Sequence, residues 1–351
     1  MAMNVSGYAT RSAKDNLAPF SFTRRDPRAD DVVIDILYCG VCHTDLHQAR
    51  NDWGGSLYPM VPGHEIIGRV VSVGAKVKRF KKGDAVGVGC MVDSCQHCAA
   101  CEQGLEQYCE ALPTFTYNAL DRHDQKPMYG GYSDKIVVSD KFVLKVPKGL
   151  DLKGAAPLLC AGITTWSPLR HWKVGKKSKV AVIGLGGLGH MALKLAKALG
   201  ADVTLFTRTP GKEKDARRLG AHQVVLSTDA KQMAAVTGKF DLIIDTVPYR
   251  HDLNPYIPTL SLSGTLVLVG YLGGLEPGLN TVALIMGRKA LAGSVIGGIA
   301  QTQEMLDFCG KHGITSDIEV IKIQDINKAY ERMLKSDVKY RFVIDMASLK
   351  S

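Results

Sequence analysis

Residues 39–47 read CGVCHTDLH, which puts two thiols, two imidazoles, a hydroxyl and a carboxylate within one short run. Thiolates and imidazoles are ligands for zinc, and a hydroxyl beside an imidazole can pass a proton. Cys42 acquires partners further along the chain, His64 in GHEIIG and Cys160 in PLLCAG. Two sulfurs and one imidazole leave a tetrahedral ion one open position, the pattern of a zinc that does chemistry. Cys39 and Cys42 also form C-x-x-C, the spacing of a redox pair. His64 and Cys160 offer Cys42 a different set of partners, and Cys39 falls at the end of a strand.

A second group is local. Cys95, Cys98, Cys101 and Cys109 form C-x2-C-x2-C-x7-C. Four thiolates so close in sequence close a tetrahedral site with no outside help, so that ion would be structural. The spacing leaves out two neighbours, Cys90, read as a small core residue, and His97, read as a solvent-facing loop residue.

A third signal is GLGGLG at 184–189, which fits G-x-G-x-x-G at Gly184, Gly186 and Gly189. It follows an apolar run and opens a helical one, the context in which the pattern binds a dinucleotide. Gly184 turns the chain, Gly186 admits a pyrophosphate, and Gly189 lets helix and strand pack closely; Leu185, Gly187 and Leu188 complete the loop. The helix start offers free N–H groups to phosphate oxygens. A carboxylate that would hold the ribose of NAD is expected about 20 residues on. Thr207, Arg208 and Lys212 occupy that region instead, a hydroxyl and two cations suited to the 2′-phosphate of NADP.

These groups need two kinds of framework. Up to about residue 155, short apolar segments at 32–38, 68–73, 85–88 and 136–138 are separated by turn residues, which suggests a β-rich domain. Beyond Cys160, strands expected at 179–183, 202–207, 224–226, 240–247 and 264–270 alternate with helices at 188–199 and 212–219. That alternation predicts βαβ units on a parallel sheet. Helices are expected at 302–312 and 326–334, and a closing strand at 340–344.

The 351 residues are enough for two domains, and 46% hydrophobic with 22% charged residues is ordinary globular composition. The nine cysteines are an odd number, seven of them within 39–109, and the start of the chain lacks an apolar signal core, so metal sites are favoured over disulfides. No apolar run reaches the roughly 18 residues of a membrane span. The expectation is a cytoplasmic protein with no membrane association. The net charge of +10 is spread along the chain without interleaved aromatics, so it reads as a solvated surface rather than a nucleic-acid site.

Taken with the stretches YPMVPGHEIIGRVVSVG, VGVGCMVDSC, GLEQYC, PLLCAGITTWSPLRHW, GSVIGGIAQTQEMLDFC and VKYRFVID, the chain resembles the zinc-dependent medium-chain alcohol dehydrogenases, and most closely the cinnamyl alcohol dehydrogenase branch. The resemblance spans residues 39–345. It implies an α/β protein with a GroES-like catalytic domain at 1–157, completed by 291–351, and a Rossmann NADP-binding domain at 158–290. It implies two zinc ions per subunit, NADP(H), reversible hydride transfer to an aldehyde, and a homodimer joined through the Rossmann sheets. By the same resemblance Thr44 and His47 form the proton relay, and His43 meets the cofactor pyrophosphate. Thr164 also contacts the cofactor, Asp45 holds the second ring nitrogen of His64, and Glu65 is an occasional ligand of the catalytic zinc. Trp53, Leu57, Met60, Phe115 and Ile299 could line the substrate slot. Alignment on Tyr117 and Asn118 puts Phe115 where plant members carry tryptophan, so broad activity on aromatic and medium aliphatic aldehydes is expected. Two alternatives stand beside this reading, a zinc-free NADPH quinone reductase on the same fold and a non-enzymatic zinc protein that binds nucleic acid.

Overall fold

The computed structural model describes residues 3–271 and 273–350. In chain order the strands are β1 (Met3–Ala9), β2 (Ala18–Arg24), β3 (Asp31–Val41), β4 (Ile66–Val73), β5 (Ala85–Val88), β6 (Met91–Asp93), β7 (Thr114–Phe115), β8 (Lys135–Ser139) and β9 (Leu144–Lys145). Then follow β10 (Lys179–Ile183), β11 (Asp202–Thr207), β12 (Gln223–Leu226), β13 (Phe240–Asp245), β14 (Leu260–Leu268) and β15 (Ala290–Gly293). The tail adds β16 (Ile318–Lys322) and β17 (Arg341–Asp345). The chain divides into two units, Met1–Cys160 with Gly297–Ser351, and Ala161–Ile296.

The first unit is built on β3. Its residues are Val- and Ile-rich and buried almost throughout, as fits a strand with partners on both edges. It pairs antiparallel with β4, β8 and β17 in a seven-stranded sheet, where β17 in turn pairs parallel with β16. The N-terminal hairpin β1–β2 forms a separate two-stranded sheet, as do β6 and β7.

In the second unit six strands pair parallel in the order β12-β11-β10-β13-β14-β15. This is the doubly wound order whose switch point lies between β10 and β13. Apolar β-branched residues on these strands are buried on both faces, as parallel strands require. Phe206 anchors the core, edge-on to Phe240 at 5.4 Å and to Tyr256 at 5.3 Å. Among the described residues no helix is long and apolar enough to cross a membrane.

Candidate active site

Strand β3 ends at Val41, and Cys42 caps a helix, His43–Ala49, rather than sitting on a simple turn. The main-chain N–H of Cys42 donates to Asp45 Oδ2 at 2.9 Å, so Asp45 closes the first turn of the helix that carries Thr44 and His47. His64 and Glu65 immediately precede β4, which is registered so that Ile66 faces Cys39. Gly40 N–H donates to the Glu65 carbonyl at 2.9 Å and fixes the two segments side by side. A Cβ at Gly40 would stand 1.9 Å from Glu65 Oε2, so any larger residue there would have to displace that carboxylate. Cys160 follows the 3-10 turn Ala156–Leu159.

These segments bring one ligand atom each from Cys42, His64, Glu65 and Cys160 to within 4.8 Å of one another. The Cys42 and Cys160 sulfurs are 3.9 Å apart. Two thiolates on one tetrahedral zinc, at the usual Zn–S distance, stand about 3.8 Å apart. Glu65 Oε2 is buried without a hydrogen-bond partner. Donor chemistry, spacing and this orphaned oxygen all fit a zinc ion. The contact with Cys160 draws the Cys42 thiol well below its usual range, helped by His64 and Arg341, while the same contact and a second with Cys90 push the Cys160 thiol up. Burial, the largest single influence, pulls His64 down, but the Asp45 and Cys90 charges and the hydrogen bonds to Asp45 and Cys42 together raise the imidazole well above its ordinary value. His64 Nδ1 lies 3.0 Å from Asp45 Oδ1, which leaves Nε2 to face the sulfurs.

Thr44 Oγ1 is 3.7 Å from Cys42 Sγ. His47 is half-buried, and its Nδ1 lies 2.7 Å from Asp52 Oδ2. Asp52 carries no signal in the sequence beyond being an acid in a polar loop, yet it fixes which nitrogen of His47 can exchange a proton. The His47 ring also stands 5.1 Å from Trp53 and 6.1 Å from the exposed His43.

Arg341 on β17 is the second residue that sequence reasoning did not find. Its Nη2 pairs with Glu65 Oε1 and donates to the Val41 carbonyl at 2.9 Å. Burial pushes the Glu65 carboxyl up to about 7, against the pull of Arg341. Cys90 differs from its expected place in the core. It is half-buried, its thiol donates to the Leu159 carbonyl at 3.7 Å, and it contributes to the raised Cys160 thiol.

Cys95, Cys98, Cys101 and Cys109 also lie within 4.8 Å of one another. The Cys95 and Cys101 sulfurs are 3.9 Å apart, again the separation that one zinc imposes. Main-chain N–H groups of Cys95 and Glu110 donate to the sulfurs of Cys109 and Cys98 at 3.3 and 3.4 Å. The Glu110 bond, first among several, lowers Cys98 to about 6, toward the thiolate that a metal needs. His97 is exposed, with its Nδ1 2.6 Å from the Cys95 carbonyl.

Of the slot candidates, Trp53, Leu57 and Phe115 are exposed. Ile299 is half-buried at the start of the helix Ile299–His312, where its N–H donates to Glu106 Oε2 at 3.0 Å. Met60 is fully buried, its main chain paired with Thr10.

In the second unit GLGGLG joins β10 to the helix Gly187–Ala198. A Cβ at Gly189 would stand 2.1 Å from the Gly184 carbonyl oxygen, so this close approach needs glycine. A Cβ at Gly186 would meet nothing within 4 Å, and that open cradle beside the helix start fits a pyrophosphate. Leu185 is buried, and Gly187 and Leu188 are half-buried. Thr207 ends β11, with its hydroxyl oxygen accepting from Thr209 N–H at 3.1 Å. Arg208 is exposed beside it. Lys212 reaches back so that Nζ donates to the Leu185 carbonyl at 3.3 Å, linking the cationic corner to the glycine loop. Thr164 is buried on the helix Ala161–His171.

A doubly wound parallel sheet, an antiparallel β unit and a Cys2His cluster with metal-ligand geometry fit the zinc-dependent medium-chain alcohol dehydrogenases. Residues 28–148 match the alcohol dehydrogenase GroES-like domain, and residues 187–311 match the zinc-binding dehydrogenase family. The chain belongs to this family of oxidoreductases, in its cinnamyl alcohol dehydrogenase-like branch. Aldehyde reductase YahK of Escherichia coli is 52% identical over 348 residues, 99% of each chain. A cinnamyl alcohol dehydrogenase of Sorghum bicolor superposes with a TM-score of 0.93 at 46% identity, covering 98% of each chain. The Helicobacter pylori cinnamyl alcohol dehydrogenase solved with NADP(H) gives 0.91 at 44% identity, covering 99% of each.

Proposed function

We propose that this chain is an NADP(H)-dependent zinc alcohol dehydrogenase that interconverts aromatic or medium-chain aldehydes and their alcohols. The observation that carries the reading is the convergence of Cys42, His64 and Cys160 beside Thr44. Cys42, His64 and Cys160 would hold a zinc ion with Glu65 in reserve, and the four-cysteine loop a second, for two per subunit. Thr207, Arg208 and Lys212 would take the 2′-phosphate of NADP, the glycine loop its pyrophosphate with His43 and Thr164 as further contacts. When bound, zinc supplies a Lewis acid for the carbonyl oxygen and NADPH supplies the hydride.

The chain's own residues do the rest. Thr44 presents a hydroxyl next to the Cys42 sulfur and can donate a proton to the substrate oxygen. His47 replaces that proton, and the Asp52 carboxylate keeps the ring oriented for it. Asp45 holds the tautomer of His64. Trp53, Leu57 and Phe115 offer an apolar wall, with Ile299 and Met60 as further candidates, and Phe115 leaves more room than a tryptophan would. We assign the catalytic domain to 1–157 with 291–351 and the cofactor domain to 158–290, in a cytoplasmic homodimer. The exposed Val282, Ile285 and Met286, on the segment before edge strand β15, support pairing through the six-stranded sheet.

The test is an NADPH oxidation screen over cinnamaldehyde, benzaldehyde and aliphatic aldehydes, with zinc measured on the same sample. The reading predicts turnover with several of them. A zinc-replete protein that oxidises NADPH with none of these aldehydes would overturn it.

A further inference from the structure

Asp45 leads beyond the residues assigned so far. Its carboxylate is buried and receives four hydrogen bonds, two on each oxygen. Oδ1 lies 3.0 Å from His64 Nδ1 and accepts from Gly63 N–H at 3.0 Å. Oδ2 accepts from Cys42 N–H at 2.9 Å and from the Tyr132 hydroxyl at 3.2 Å. A carboxylate offers about four lone-pair sites, so this one is saturated. Three of its donors belong to the metal-ligand segments themselves, and the fourth is brought in by a separate loop.

That loop, residues 129–134 leading into β8, is tied down from two sides. Gly130, Gly131 and Tyr132 N–H groups donate to the carbonyls of Val61, Gly63 and Pro62 at 2.7, 2.8 and 2.9 Å, along the segment that enters His64. From β2, the buried Arg24 donates to the Lys135 and Tyr129 carbonyls at 3.0 and 2.6 Å, and to Gly130 O and Ser133 Oγ at 3.0 and 3.1 Å. Tyr132 is fully buried, and its ring leaves no room for a side chain at Gly63, where a Cβ would come within 2.7 Å.

We propose that Tyr132 is a positioning residue for the metal site: its hydroxyl locks the Asp45 carboxylate, and through it the His64 ring. A buried carboxylate that loses one donor is left with an unsatisfied lone pair and can turn to find another. Either way the His64 Nδ1–H loses part of its anchor, and the imidazole holds a metal less firmly.

The proposal rests on Cys42, His64 and Cys160 being a metal site, and the experiment separates the two. Full-length zinc-loaded protein is mixed with a chromogenic chelator, and zinc release is followed in wild type, Tyr132→Phe, Tyr129→Phe and Cys160→Ala. The phase missing in Cys160→Ala reports the site in question. In Tyr132→Phe that phase should quicken roughly 5- to 20-fold, below or near the low end of the 10- to 100-fold seen for groups that touch a ligand directly. The other phase stays at the wild-type rate, and the visible absorption of cobalt substituted at the Cys160-dependent site shifts. Tyr129→Phe, on the same loop, should leave both phases unchanged. A Cys160-dependent phase unchanged in Tyr132→Phe, with an unaltered cobalt spectrum, overturns the proposal. So does equal acceleration in Tyr129→Phe, because loosening of the loop would then explain the effect. A wild type with no Cys160-dependent phase removes the metal reading itself, and the role of Tyr132 with it.

Discussion

Two thiol-rich sites lie in the same unit and are built in opposite ways. The four-cysteine site draws every ligand from residues 95–109, with two of its sulfur residues half-buried and main-chain N–H groups as support. The other draws its ligands from residues 42, 64, 65 and 160, and is backed by the charged side chains of Asp45 and Arg341. A local site closes a short loop at small entropic cost and can form early, whereas a dispersed site exists only once the sheet around β3 has assembled. The local site suits holding the chain together. The dispersed site has charge behind its ligands and a threonine hydroxyl at its edge, which chemistry requires.

The largest expected effect is in the dispersed site. Cys160→Ala should lower turnover by roughly 1,000-fold or more, the scale of losing a Lewis acid from a reaction centre. Zinc analysis should show one ion lost per chain. Cys101→Ser should do the reverse, destabilising by several kcal/mol as structural zinc sites do when broken, while the surviving folded protein keeps measurable turnover. If Cys101→Ser silenced turnover at unchanged stability, the contrast between the sites would fail.

Arg341→Met removes the cation beside Glu65 and should destabilise by about 3–5 kcal/mol in denaturant titration, the cost of breaking a buried pair. Arg208→Asp, in the other unit, is the reference variant. Both zinc ions should remain, and the KM preference for NADPH over NADH should fall roughly 10- to 100-fold, one charged hydrogen bond's worth. The smallest effect concerns pH. The Glu65 carboxyl is raised from 4.5 to about 7 by burial, so the folded state holds a proton that the unfolded chain releases. In metal-stripped protein that contribution is fully present below pH 4.5 and is lost as pH rises through about 7. Melting of wild type should therefore fall over this window relative to Glu65→Gln, and parallel curves would contradict the assignment.

Much of this was readable from the sequence because it depends on spacing. The four cysteines announce themselves, and β10 and β11 match their apolar runs residue for residue, since buried parallel strands have little else to be made of. The helix Ala161–His171 was not expected. It is buried on nearly every face and holds Pro168, so no 3.6-residue stripe appears. The hairpin β1–β2 was not expected: MNVSGYA and APFSFTR do alternate, but each holds a single β-branched residue and Pro19 stands inside the second strand. The helix His43–Ala49 is too short for periodicity and is set by Asp45, a tertiary choice. Asp52, Tyr132 and Arg341 were invisible for one reason: each acts through another side chain, and only the folded chain shows which one. Cys90 looked like core packing because nothing in its neighbours places it beside Cys160.

The central claim is that one ion sits among Cys42, His64 and Cys160 and another among the four cysteines. Anomalous diffraction from crystals of the purified protein, recorded on either side of the zinc edge, tests it directly. The account predicts two peaks per chain, one at each cluster. A peak at Cys95, Cys98, Cys101 and Cys109 with none between Cys42, His64 and Cys160 in a turnover-competent preparation would contradict it.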